Sequence, residues 1–274
     1  MSSALRKGTT GVLATLAAVC GLLLSSALPA AAQTQSSQPS QLTHSSHSSH
    51  NSHGSHHKPP KPHKPGHKSD FVVSEAQFNQ MFPNRDPFFT YDGLVEATKA
   101  YPRFAHTGSR TTWKQEAAAF LANVSHETGG LYYVVTQNTD LYPIFCDETQ
   151  PYGCPAGHDA YYGRGAIMLS WNFNYKAAGD ALGIDLLNNP WLVETDPAVA
   201  WMTALWYWNT QSGPGTMTGH DAMIHKKGFG QTIWSLNGSS ECNGGAPAQM
   251  NHRVDLYKQF TRILRTEPGR RLTC

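Results

Sequence analysis

What the chain lacks narrows it first. Its opening 69 residues contain neither Asp nor Glu, which leaves any carboxylate chemistry to the remainder. Beyond residue 32 no run approaches the roughly 20 consecutive apolar residues of a membrane span, so no membrane span is expected in the mature chain. No cysteine pair has CxxC spacing, which argues against a zinc ribbon. His126-Glu127 resembles the start of HExxH, but the second histidine is missing because position 130 is Gly130, and the metalloprotease reading falls. Neither a GxSxG elbow nor a phosphate-binding loop occurs. Residues 71–274 hold 15 Lys and Arg against 18 Asp and Glu, a net of −3 with His neutral, so nucleic acid is not the expected partner.

What is present divides the chain into three. Arg6 and Lys7 precede an apolar stretch over 12–28 that ends in small residues near Ala32, the pattern of a secretory signal over 1–32. Residues 33–70 are Ser, His, Pro and Lys, too polar to offset the entropy of ordering, and read as a disordered linker. Within it His44, His47, His50, His53 and His56 recur every third residue, which would line one face of a polyproline II helix. These imidazoles are candidate metal ligands. Nothing fixes a coordination geometry, however, and a solvated spacer is the stronger reading. Residues 71–274 are a single domain able to bury a substantial core.

In that domain Cys146, Cys154, Cys242 and Cys274 form an even set in an exported chain, consistent with two disulfides. Of three connectivities, Cys146 with Cys154 and Cys242 with Cys274 is favoured, the first closing a short loop rich in Pro and Gly. Helical periodicity is frequent and strand signals are few. A capping box at Ser74 and Gln77 opens a helix to about residue 82, and another helix lies near 92–100. Thr112 and Gln115 suggest a second capping box for a helix whose Ala117, Phe120, Leu121 and Val124 share a face, stopped by Gly129 and Gly130. Further helices are expected over 174–182, over 197–210 with Asp196 as cap, and over 249–265. The segment after a β-rich run at 132–136 reads as loop as far as Gly163. Trp201, Trp206 and Trp208 fall at helical spacing and are expected in the core.

Glu127 is the candidate for chemistry. It ends a helix, where the negative end of the dipole and aromatic neighbours both disfavour a bare carboxylate, which is the condition for a proton donor.

Several motifs then point one way: FLANVSHETGG over 120–130, YYGRG over 161–165, LSWNFNY over 169–175, and SLNG over 235–238 followed by Cys242. Together and in this order they resemble the family 19 glycoside hydrolases, the chitinases of plants and actinobacteria, nearest the compact bacterial type. The resemblance implies a mainly helical, α+β lysozyme-like single domain with a deep cleft and at most a small β-hairpin. It implies inverting hydrolysis of β-1,4-linked N-acetylglucosamine polymer by an exported monomer that needs no cofactor. By resemblance Glu127 is the general acid, with His126 beside it, and Ser170 positions the attacking water. Tyr161, Asn174 and Asn237 contact sugar, and Arg253 supports the site. Trp171, inside the motif, is expected near the cleft.

Two positions depart from the family pattern. An inverting pair needs a second carboxylate about 6.5–9.5 Å from the acid, and the position where the family carries it, nine residues on, is Thr136. A hydroxyl orients water but does not accept its proton near neutral pH, which predicts a loss of about 10²–10⁴. Met168 stands where the family has a substrate-binding glutamine, and a thioether is a poor replacement. Asp140 is the candidate displaced base. The alternatives to a slowed chitinase are a chitin- or glycan-binding protein without turnover and, more weakly, a peptidoglycan hydrolase.

Overall fold

The computed structural model describes residues 70–274. The signal over 1–32, the His candidates and all of the linker except exposed Asp70 lie outside the described residues. The described residues form nine α-helices: α1 (Glu75–Met81), α2 (Tyr91–Thr98), α3 (Arg110–Thr128), α4 (Asn172–Leu182), α5 (Leu192–Thr195), α6 (Pro197–Thr210), α7 (Gly219–Ile224), α8 (Phe229–Glu241) and α9 (Pro247–Ile263). A 3₁₀ turn, Thr139–Phe145, interrupts the long connection between α3 and α4. Extended pairing is confined to isolated bridges from Arg164 to Val135 and to Leu169. No helix among the described residues is long and apolar enough to cross a membrane.

Local chemistry sets several boundaries. Ser74 and Gln77 form the expected capping box of α1, and Asp196 caps α6 through the amides of Ala198 and Val199. The cap of α3 is Ser109 rather than Thr112: its hydroxyl accepts from the Thr112 amide, so Thr112 already lies inside the first turn. Gln115 is not a box partner but reaches the Glu267 carbonyl. α3 ends where Gly129 turns left-handed at φ 61°, a conformation glycine takes without a Cβ penalty. The β-rich run at 132–136 does not become a strand of a sheet; it makes a single bridge at Val135.

The core is aromatic. Trp201 on α6 is fully buried against Phe78, Phe89 and Phe120 at centroid distances of 6.1, 5.9 and 6.3 Å. Trp206 and Trp208 are buried with it. Both favoured disulfides are formed, Cys146–Cys154 and Cys242–Cys274. The first closes the loop after the 3₁₀ turn, and buried Asn172 pins that loop to α4 through Asp147 and the Gly153 carbonyl.

Candidate active site

α3 runs through the core, buried on several sides, and brings Glu127 to its last turn with 5% of the side chain exposed. α9 packs along α3 and places Arg253, wholly buried, against it. The Arg253 guanidinium donates to Glu127 Oε1 in a very short contact, to both oxygens of Glu241 at 2.7 Å, and to Asn123 Oδ1 at 3.1 Å. Burial alone would disfavour the guanidinium's charge, but the Glu127 and Glu241 carboxylates outweigh it, and its pKa is raised. α8 kinks at Asn237 (φ −130°, ψ 27°), which turns that amide to donate to Glu127 Oε1 and to Glu241 Oε1, each at 3.1 Å. Two carboxylates therefore share one guanidinium, and the set is neutral when one of them holds a proton. Both bonds to Glu127 fall on Oε1. Among the described residues nothing donates to Oε2.

This environment corrects the sequence-based picture of Glu127. Its immediate partners are a cation and an amide, not aromatic rings. Beside it His126 meets His252 of α9, Nδ1 to Nδ1 at 2.8 Å. Burial first, then the charges of Arg253 and His252, push His126 down to about 2, so it stays neutral at ordinary pH.

A second group of residues forms around Gly163. The Thr136 amide donates to the Gly163 carbonyl at 2.8 Å and its hydroxyl does so at 3.3 Å. A Cβ on Gly163 would stand 2.6 Å from Thr136 Oγ1 and 3.1 Å from the Met168 carbonyl, so only glycine allows this approach. The two departures from the family pattern are thus neighbours in space. Met168 is 7% exposed with φ 51°, and its carbonyl accepts from Ser170 Oγ at 3.1 Å. Asn174 in turn donates to the Ser170 carbonyl at 2.9 Å. Arg164 fixes the whole turn: it pairs with Glu194 at 3.1 Å and stacks on the Tyr162 ring at 3.5 Å, and Tyr142 stacks on the same ring at 3.7 Å.

Other expected residues fall elsewhere. Tyr161 is fully buried; its hydroxyl donates to the Leu187 carbonyl and accepts from the Ala156 amide, which braces a loop. Asn237 is 7% exposed and gives its amide N–H groups to the two glutamates. Trp171 is half-buried between Phe145 and Phe173. Asp140 is exposed near the start of the 3₁₀ turn, its carboxylate without a hydrogen bond from the described residues. Sequence reasoning missed Glu241, His252 and Asn123. Only the four-residue spacing of Asn237 and Glu241, one helical turn, hinted at the first.

A carboxylate clamped by a guanidinium and an amide at a helix end, in a mainly helical domain, fits the site of a glycoside hydrolase. Residues 72–274 match the family model described as "Chitinase class I". Endochitinase B of Zea mays is 43% identical over 189 residues, 68% of this chain and 63% of that protein. The chain thus spans less than two thirds of that relative's length. A solved bacterial family 19 chitinase is 69% identical with a TM-score of 0.74, over 74% of this chain and 100% of that one. Chitinase C of Streptomyces griseus is 66% identical with a TM-score of 0.74, over 77% and 100%. The chain belongs to the family 19 chitinases, which are glycoside hydrolases.

Proposed function

We propose that the chain is an exported, monomeric chitinase that cleaves β-1,4-linked N-acetylglucosamine polymer with inversion, using Glu127 as general acid. The observation that carries this is the division of labour on one carboxyl group: Oε1 takes the bonds from Arg253 and Asn237, and Oε2 is left to hold a proton. That proton passes to the glycosidic oxygen as the bond to the anomeric carbon breaks, and water adds at the opposite face. Ser170 and Thr136 orient the water, and Asp140 is the carboxylate that receives its proton. The small-residue end of the 1–32 segment and the two disulfides support export.

Hydrolysis of a soluble chitin oligomer tests this, with the anomer of the first product read by NMR. Wild type gives the inverted anomer, Glu127→Gln abolishes cleavage, and Asp140→Asn slows it without unfolding. Cleavage that survives Glu127→Gln overturns the assignment of the acid. One observation favours a second reading, a glycan-binding protein without turnover: the Thr136 hydroxyl is already given to the Gly163 carbonyl. That reading wins if wild type binds the oligomer without cutting it and Thr136→Glu starts cleavage.

A further inference from the structure

Two of the side-chain contacts between α3 and α9 lie one residue apart on each helix. Glu127 takes Arg253, and the preceding His126 takes His252. The histidine contact joins Nδ1 to Nδ1 at 2.8 Å with ring centroids 5.0 Å apart. A hydrogen bond between two such nitrogens needs one proton between them, so one ring donates and the other accepts. His126 does not become imidazolium at ordinary pH, because burial and then the charges of Arg253 and His252 push it to about 2. His252 is exposed. When its Nδ1 donates, His126 Nδ1 accepts and the proton of His126 sits on Nε2; when it accepts, the proton of His126 sits on Nδ1.

We infer that His252 is a positioning residue of this site, which anchors the His126 ring and, through the direction of the hydrogen bond they share, ties the tautomer of His126 to its own. This rests on the reading of Glu127 as the acid. The charged groups set around the pair are Arg253 on His252's own helix, Glu127 next to His126 on α3, and Glu241 of α8, which shares Arg253. His126 and Glu127 occupy the same last turn of α3, so releasing the ring loosens the turn that carries the acid.

The test uses the full-length chain. His252→Ala removes the partner, and His252→Asn substitutes an amide able to donate to His126 Nδ1 at every pH. Nitrogen NMR of the His126 ring, assigned by the signal lost in His126→Asn, reads the tautomer directly. In wild type the bond from His252 holds one His126 tautomer; His252→Ala shifts the tautomer balance, and His252→Asn, whose amide keeps a hydrogen bond to His126 Nδ1, restores it. On a soluble chitin oligomer His252→Ala loses about tenfold in kcat with KM within about twofold, and His252→Asn restores kcat. A His126 tautomer that ignores His252→Ala, or a kcat left as in wild type, overturns the inference. If wild type itself does not cleave, the reading of the chain as an active chitinase fails, and the tautomer measurement still decides the role of His252.

Discussion

The two halves of the site are held to different standards. Around Glu127 the polar groups are tied together across three helices, with Oε2 of the acid left over: Arg253 from α9, and Asn237 and Glu241 from α8, meet the end of α3. Around Thr136 the bonds run to backbone carbonyls: its amide and hydroxyl donate to the Gly163 carbonyl, its own carbonyl accepts from Tyr142, and Ser170 donates to the Met168 carbonyl, with no carboxylate among the described partners. The difference teaches that Glu127 is held by side chains from distant helices, whereas the Thr136 position is held through backbone groups that a substitution leaves in place. Substitution can alter the second while leaving the first intact.

Four measurements would break or sharpen that contrast. The largest effect is expected from Arg253→Met, which leaves Glu127 and Glu241 buried with no cation between them. Loss of a partner from a buried pair costs about 3–5 kcal/mol, so urea unfolding should shift markedly and chitin cleavage should vanish with it. Thr136→Glu is expected to act in the other direction. It places a carboxylate where the turn has a hydroxyl and should raise oligomer turnover by about 10² or more, with the urea midpoint little changed; equal turnover in both proteins would mean that Asp140 already serves fully as the base. A smaller effect concerns acid stability. His126 is held far below the imidazole range, so below the unfolded chain's histidine pKa the unfolded state binds a proton that the folded state refuses. Stability therefore falls as pH drops below about 6.5, and the slope should be shallower in His126→Asn when unfolding is followed between pH 6 and 4. The smallest effect belongs to Tyr161→Phe, which removes one buried hydroxyl bonded to Leu187. It should cost about 1–3 kcal/mol of stability and leave kcat unchanged, whereas a sugar contact at Tyr161 would raise KM.

The helical architecture was legible because its signals are local. Asp196 before Pro197 and the Ser74/Gln77 box are read within four residues of sequence, and the structure has both. The start of α3 was misread by three residues because Ser109 and Thr112 are both capping types, and only the amide that Ser109 receives distinguishes them. α8 was invisible to periodicity: Gly230 and Gly238 dilute its pattern, and its kink at Asn237 has no apolar signature. The acid itself stood out through its motif. Its partners did not, because Glu241 and His252 act through contacts between residues distant in sequence. The burial of Tyr161 was hidden for a related reason: the motif identifies the turn, but not which side of it faces inward.

The clamp also fixes when competence can arise. Asn237 and Arg253 lie 110 and 126 residues beyond the carboxylate they hold. A chain emerging from the ribosome therefore displays its acid well before it contains the groups that orient it, and no fragment ending short of α9 can reproduce the site.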